Sequence, residues 1–207
     1  MLTTVIKQLK TSLIMLILFS TLTGIIYPVL VTGIAQLLFS WRANGSLIEQ
    51  DNKIVGSVLI GQSFTPLDTN SNKYFWSRPS ATMPYEYNAQ ASSGSNMAPS
   101  NPAFLAKVSE RVGVLQKLDP ENKEFIPVDL VTASASGLDP EISPLAALYQ
   151  VRRIAKARGI PESELVTLVQ RLVQKRTFGI LGEPRVNVLQ LNMALDSLRA
   201  TRGNSNG

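Results

Sequence analysis

Between Lys10 and Arg42 the chain carries no charged residue, and nearly everything after that run reads as a water-soluble domain. A helix rises about 1.5 Å per residue, and the hydrocarbon core of a bilayer, about 30 Å thick, needs about 20 apolar residues to cross. The stretch from Ser12 to Phe39 is long enough to cross with slack for tilt. A lone segment can cross only as a helix, because only a helix satisfies its own backbone hydrogen bonds in lipid. The expected organisation is a short N-terminal tail (1–11), a single transmembrane helix (12–39) and one α+β soluble domain (43–207).

The same residues allow a second reading, a cleaved secretory signal. Lys7 and Lys10 would form its basic region and Gly33-Ile34-Ala35 its small-residue cleavage site. Such signals have apolar stretches of about 7–15 residues. This run is longer, and Leu37-Leu38-Phe39 continues it past the cut, which favours a retained anchor. Pro28 lies mid-span and should bend the helix or thin its hydrogen-bond ladder. Ser20 and Gly24 make a small-x-x-x-small pair and Gly33 adds another flat spot, so these three are candidates for close packing against other helices. Lys7 and Lys10 on one flank against Arg42 on the other favour an inside N-terminus, which puts the domain in the periplasm.

The residues that are missing narrow the chemistry. The chain has no cysteine, hence no disulfide, thiolate nucleophile or zinc-thiolate site. It has no histidine, which removes the Ser-His-Asp triad and the commonest metal ligand. The net charge of +5 owes much to the span: three of the twenty basic residues, Lys7, Lys10 and Arg42, flank it, and the seventeen left face fifteen acids, about +2. That is no nucleic-acid footprint.

Within the domain, Val55 to Ile60 reads as a strand, Pro66 to Asn72 as a turn and Tyr74-Phe75-Trp76 as a second short strand. Arg78 to Pro102 is crowded with Pro, Ser, Asn and Gly; a coil of this length is either functional or packs as an ordered loop. Ser100-Asn101-Pro102 reads as an N-cap with proline in the first turn, followed by Phe104, Leu105, Val108, Val112 and Leu115 at helical spacing. Pro127 to Thr132 looks like a strand. Ser143-Pro144 starts a helix with Leu145, Leu148, Val151 and Ala155 on one face, closed by Gly159. Pro161 to Arg176 is a helix with a stripe of Leu165, Leu168, Val169, Leu172 and Val173. Gly182-Glu183-Pro184 is a turn. Val188, Leu191, Leu195 and Leu198 mark the last helix, and a polar tail runs from Arg202. Strands and helices do not alternate regularly, so the class is α+β.

Gly56-x-x-x-x-Gly61-Gln62-Ser63 has the spacing of a phosphate-binding loop, but Gln62 stands where the lysine must be, so a strand and turn is the better reading. No Gly-x-Ser-x-Gly elbow or Ser-x-x-Lys dyad occurs. Asp139 and Glu141 could hold a hard cation, or sit near the helix start at Ser143. Arg152, Arg153, Lys156 and Arg158 form a basic cluster beside Gln150. It reads either as a solvated helix face or as an anion site, with Gln150, Arg152 and Arg153 as the nucleotide-binding candidates. No residue is expected to be catalytic or to bind a metal.

Several segments together resemble a known family. They begin with Gly56-Ser57, Leu59-Ile60-Gly61-Gln62 and Phe64, then Tyr74-Phe75, Arg78-Pro79-Ser80-Ala81 and Tyr87-Asn88. Ala91-Ser92-Ser93-Gly94-Ser95-Asn96 and Ser100-Asn101-Pro102 follow, then Val128 to Asp139 and Ile142-Ser143-Pro144. The last are Arg153-x-Ala155-x-Ala157-Arg158, Gly182-x-Pro184-x-Val186-Asn187-Val188 and Leu191-Asn192-x-Ala194-Leu195-Asp196. In this order after one span, the chain resembles the C-subunit family of the bacterial Kdp potassium-transporting P-type ATPase. Ser93 stands where the family pattern has a second glycine.

The resemblance implies an auxiliary, non-catalytic subunit of an ATP-driven potassium import complex in the cell inner membrane. Its implied partners are an ion-conducting subunit, an ATP-hydrolysing subunit and the lipid bilayer. Potassium is then carried by the partners, no cofactor is bound covalently, and ATP enters through the complex. The implied roles are stabilising the assembly and, as a catalytic chaperone, raising ATP affinity. The residues agree on one point independently: a single span with no ionisable group cannot build a potassium site by itself. A membrane-anchored periplasmic hydrolase and a stand-alone binding module are the alternatives.

Overall fold

A computed structural model describes residues 2–64 and 71–204. It divides into two units, one ending at Leu47 and one beginning at Ile48.

The first unit is one long helix in three parts: α1 (Leu2–Thr21), a π-helical turn (Leu22–Ile26) and α2 (Tyr27–Ala43). The helix starts at Leu2, so the segment ahead of Ser12 lengthens it rather than trailing as a separate tail. The π-turn has a cause in the sequence. Pro28 has no N–H to give to the carbonyl four residues back, and its ring would collide with that carbonyl. The wider turn just before it, closed by the Tyr27 N–H on the Leu22 carbonyl, relieves the conflict. Phe39 departs from helical backbone (φ −140°, ψ 40°), a second irregularity near the far end. There the side-chain amides of Gln36 and Asn44 bond each other at 3.1 and 3.2 Å, and the Trp41 indole donates to the Leu47 carbonyl at 2.9 Å.

The second unit opens with a hairpin of β1 (Leu47–Gln50) and β2 (Lys53–Ser57). Asp51 and Asn52 both take positive φ (50° and 62°), the conformation a two-residue hairpin turn requires. β2 stops at Ser57, so only its first half coincides with the expected strand; Val58 to Ile60 turn away. Most of the expected turn at Pro66–Asn72 lies outside the described residues.

α3 (Pro102–Leu118) is capped by Asn101, whose side chain accepts from the Ala103 N–H at 2.9 Å. α4 (Pro144–Arg158) is capped by Ser143 and ends at Gly159 in the left-handed conformation (φ 65°), both as expected. Its buried face is not the expected one: Leu145 is exposed, and Ala146, Gln150, Arg153 and Ile154 point inward. α5 (Glu162–Leu172) buries Leu165, Leu168 and Val169. It ends four residues before Arg176, because Val173 turns extended and Gln174 bridges Arg185 in antiparallel fashion. β3 (Glu141–Ile142) pairs antiparallel with β4 (Val186–Asn187), and α6 (Val188–Asn204) follows directly. Asn187 starts α6, its Oδ1 accepting from the Gln190 N–H at 3.0 Å. α6 runs through the start of the expected polar tail; Ser205 to Gly207 lie outside the described residues.

Two expected strands are absent, each for a visible reason. Val128–Leu130 is a 3-10 turn whose Val128 carbonyl takes the N–H of both Val131 and Thr132 and the Thr132 hydroxyl, leaving nothing to offer a ladder. Phe75 and Trp76 run extended but pair with side chains instead of a neighbouring strand. Asn192 of α6 accepts the Phe75 N–H and donates to its carbonyl, both at 2.9 Å. Gln150 of α4 does the same for Trp76, at 2.8 and 3.3 Å. Around this segment Phe75, Ile154, Leu165, Val186, Leu191 and Leu195 form the centre of one apolar core.

Candidate functional site

The Pro- and Ser-rich stretch after Trp76 packs as an ordered loop, held by short side chains. The Ser80 hydroxyl donates to the Gly137 carbonyl at 2.7 Å and accepts the Tyr87 N–H at 3.0 Å. The Thr82 hydroxyl bonds the Tyr85 carbonyl and takes the Asn88 N–H, and the Ser92 hydroxyl reaches the Ser136 carbonyl. Gly137 takes positive φ (67°), and a Cβ there would lie 2.7 Å from the Ser93 carbonyl oxygen. Ser93 is not among the residues with positive φ, so the serine in place of the family's glycine costs the backbone nothing.

The phosphate-loop spacing serves packing. A Cβ on Gly61 would lie 2.5 Å from the Asp139 carbonyl oxygen, and the Gly61 N–H donates to the Leu138 carbonyl at 2.8 Å. Gln62, where the lysine would stand, donates to the Val55 carbonyl at 2.7 Å. Asp139 pairs with Arg78 at 3.3 Å, and Glu141 with Arg185 at 3.0 Å. The N–H groups at the start of α4 are served by Ser143, while Asp129 accepts the Ser143 N–H at 2.6 Å. Among the described residues no group of three or more acidic side chains is placed to hold a metal ion.

The basic cluster on α4 splits in two. Gln150 is 1% exposed, and all its hydrogen-bonding positions are filled: Oε1 accepts from Trp76 and Arg153, Nε2 donates to Trp76 and Ala146. Arg153 is buried, donates to the carbonyls of Asn72 and Tyr74 at 2.8 and 3.0 Å, and stacks over the Trp76 ring at 4.5 Å. Burial lowers its guanidinium from the ordinary value to about 10, with Asp119 opposing, so it stays charged at neutral pH. Arg158 also turns inward, bonding the Lys73 carbonyl at 2.6 Å and Asp196 at 2.8 Å over the Tyr74 ring. Arg152 and Lys156 face outward. Arg152 contacts the Glu121 carboxylate and lies 3.7 Å from Asp119. The two flank an open groove of about 570 Å³ that also carries Glu121 and Glu162.

In the helical unit, side chains such as Leu13, Ile17, Phe19, Leu30 and Leu38 are exposed on every side. Leu2–Ala43 is the one helix among the described residues long and apolar enough to cross a membrane, with a mean hydropathy of 2.3 in its most apolar window. Bare apolar surface of that extent on a lone helix needs lipid or other helices. Gly24 and Gly33 have open space where a Cβ would stand. They do not share one face. A helix turns about 100° per residue, so Gly33, nine residues beyond Gly24, falls about half a turn away. Ser20 and Gly24 make one flat spot and Gly33 another.

These features define a class: a membrane-anchored protein in which a single apolar helix carries a small α+β domain. Its most deeply buried polar side chains are bonded to the domain's own backbone. The chain belongs to the K+-transporting ATPase, c chain (KdpC) family, which it matches over residues 9–197. It is 56% identical over 194 residues to the potassium-transporting ATPase KdpC subunit of Methylococcus capsulatus, covering 94% of this chain and 100% of the relative. The KdpC subunit of Herpetosiphon aurantiacus is 56% identical over 191 residues, covering 92% and 96%, and that of Sorangium cellulosum 50% over 194 residues, covering 94% and 100%.

The sequence reading missed the side-chain amides that serve as strand partners for Phe75 and Trp76. The signal for them is a polar residue on the apolar stripe of each helix, Gln150 on α4 and Asn192 on α6.

Proposed function

We propose that this chain is the accessory subunit of an ATP-driven potassium importer. It holds the ion-conducting subunit in a working arrangement with the ATP-hydrolysing subunit. The observation that carries this reading is the pairing of one uncharged span, with two open small-residue spots, to a domain that matches KdpC relatives over nearly its whole length. A lone span without ionisable groups has nothing with which to conduct ions, so its use is attachment.

The anchor stays uncleaved in the inner membrane and the domain lies in the periplasm. Protease added to intact spheroplasts then digests the domain, and mass measurement finds the residues before Gly33 still attached. Protection in spheroplasts with digestion only in inverted vesicles reverses the orientation.

The chain supplies no nucleophile and hydrolyses no ATP. Any rise in ATP affinity reaches the hydrolysing subunit through the membrane subunits, since a periplasmic domain does not meet cytoplasmic ATP. For direct nucleotide contact the geometry supports Arg152, which faces solvent, more than Gln150 and Arg153, whose polar atoms already hold the Trp76 segment. The deciding measurement is potassium-stimulated ATPase activity of the partner subunits with and without this chain. Loss of activity without it supports the reading; full activity from a stable complex lacking it overturns the reading.

A further inference from the structure

Beside the Trp76 segment is a cavity of about 200 Å³ that neither the hydrogen-bonding of the core nor the family match assigns to anything. One wall is apolar, made by Trp76, Val114 and Leu130. The other is made almost entirely of hydrogen-bond donors. The Ser77 hydroxyl lines it, is 5% exposed as a residue, and has no hydrogen-bond partner. The Arg78 Nε–H is buried and also unpartnered, although the tip of the same guanidinium is held by Asp139 and by the Ala133 carbonyl. Arg111, on α3, spends one N–H on the Val131 carbonyl at 3.1 Å and has no carboxylate within 4 Å.

Unpartnered buried donors are uncommon in folded proteins, because each forfeits its hydration without replacement. Two on consecutive residues, opposite a half-buried arginine with no ion pair, point to an acceptor that enters from outside. Burial pulls the Arg111 guanidinium below its ordinary value, with Glu86, Glu110 and Tyr87 opposing, as expected of a cation taken from water without a contacting counter-ion.

We propose that this cavity is a binding site for a carboxylate carried on a short apolar chain. The carboxylate sits between Arg111, the Arg78 Nε–H and the Ser77 hydroxyl, and the apolar chain lies on Trp76 and Leu130. Charge sets the ligand class. Asp139 already neutralises Arg78, and Glu86 lines the same cavity, so Arg111 is the one cation left to match and a single negative charge suits it better than a phosphate dianion. Glu86 is exposed and accepts from the Ser63 hydroxyl at 2.7 Å. It repels an entering carboxylate and regulates its affinity. The carboxylate has two sources, a free short-chain acid or an acidic side chain of a partner subunit, and they are separable by experiment.

The test uses the full chain in detergent, with the Trp76 indole N–H and Ser77 amide followed by NMR. The probes are butyrate and its uncharged counterpart butyramide. Butyrate should give saturable shifts at concentrations on the order of 10 mM or below, and butyramide none. Glu86→Gln, a change at an exposed residue, should tighten butyrate binding several-fold, and Arg111→Gln should abolish it. The proposal is overturned by an absence of saturable shifts with butyrate, by equal binding of butyramide, by unchanged affinity in Glu86→Gln, or by wild-type affinity in a folded Arg111→Gln chain. Binding to the isolated chain but not to the assembled complex assigns the carboxylate to a partner subunit; binding to both assigns it to a free acid.

Discussion

Gln150 holds the Trp76 peptide from both sides, its Oε1 accepting the Trp76 N–H at 2.8 Å while its Nε2 reaches the Trp76 carbonyl at 3.3 Å. The same oxygen also takes Arg153, so one buried amide joins α4, the extended segment and the guanidinium. Replacement by leucine keeps the volume but leaves two backbone groups and one arginine donor unpaired. The expected cost is on the order of 3 kcal/mol. Denaturant unfolding of the full chain measures it; a loss within about 0.5 kcal/mol would show that water or a neighbour replaces the amide.

Arg152 and Arg153 are adjacent in sequence but should behave oppositely. Arg152→Ala removes a surface pair and should change stability by no more than about 1 kcal/mol. Arg153→Ala strips partners from Asn72, Tyr74 and Gln150 and should cost about 2–4 kcal/mol. If nucleotide binds this chain, Arg152→Ala should weaken it and flatten its salt dependence while the unfolding midpoint holds. Equal destabilisation by both changes would contradict the split.

Gly137→Ala meets two penalties at once. The residue's positive φ disfavours any Cβ by about 1–2 kcal/mol, and the added atom would press on the Ser93 carbonyl and the Thr82 side chain. A loss of about 2 kcal/mol or more is expected, read as a lower unfolding midpoint. Gly159→Ala is the control: it too has positive φ, but open space for the Cβ, so only the backbone penalty should appear.

Gly24→Leu places bulk on an open spot of the span beside Ser20. The complex should dissociate in mild detergent while the domain keeps its circular dichroism and unfolding midpoint. Size-exclusion chromatography of the co-expressed subunits checks this, and an intact complex would rule out that face as an interface.

The elements legible in the sequence were those with local causes. Asn101 and Ser143 cap helices through their own side chains, Gly159 ends one through its backbone freedom, and the leucine stripes of α5 and α6 repeat at the helical period. What failed had distant causes. Val128–Val131 and Tyr74–Trp76 have strand-like composition, but one spends its carbonyl locally and the other finds its partners 74 and 117 residues away in side chains of two helices. The face of α4 was misread because Gln150 and Arg153, polar by type, are buried by the bonds they make. The same blindness applied to the Arg111 cavity, since neither periodicity nor motif links Ser77 to a helix more than twenty residues further on.

The wide turn ahead of Pro28 has a consequence for how the span can be altered. It inserts extra chain into the winding, so the residues after it are rotated relative to where an unbroken helix would carry them. Neighbours of the inner half and neighbours of the outer half are therefore addressed by two separate azimuths, linked by a fixed offset. Deleting one residue between Leu22 and Ile26 would restore regular winding, swing everything from Tyr27 onward by roughly a quarter turn, and exchange the outer half's neighbours while leaving its composition and length almost untouched. Hydropathy would not register such a deletion, yet it would rewire half of the span.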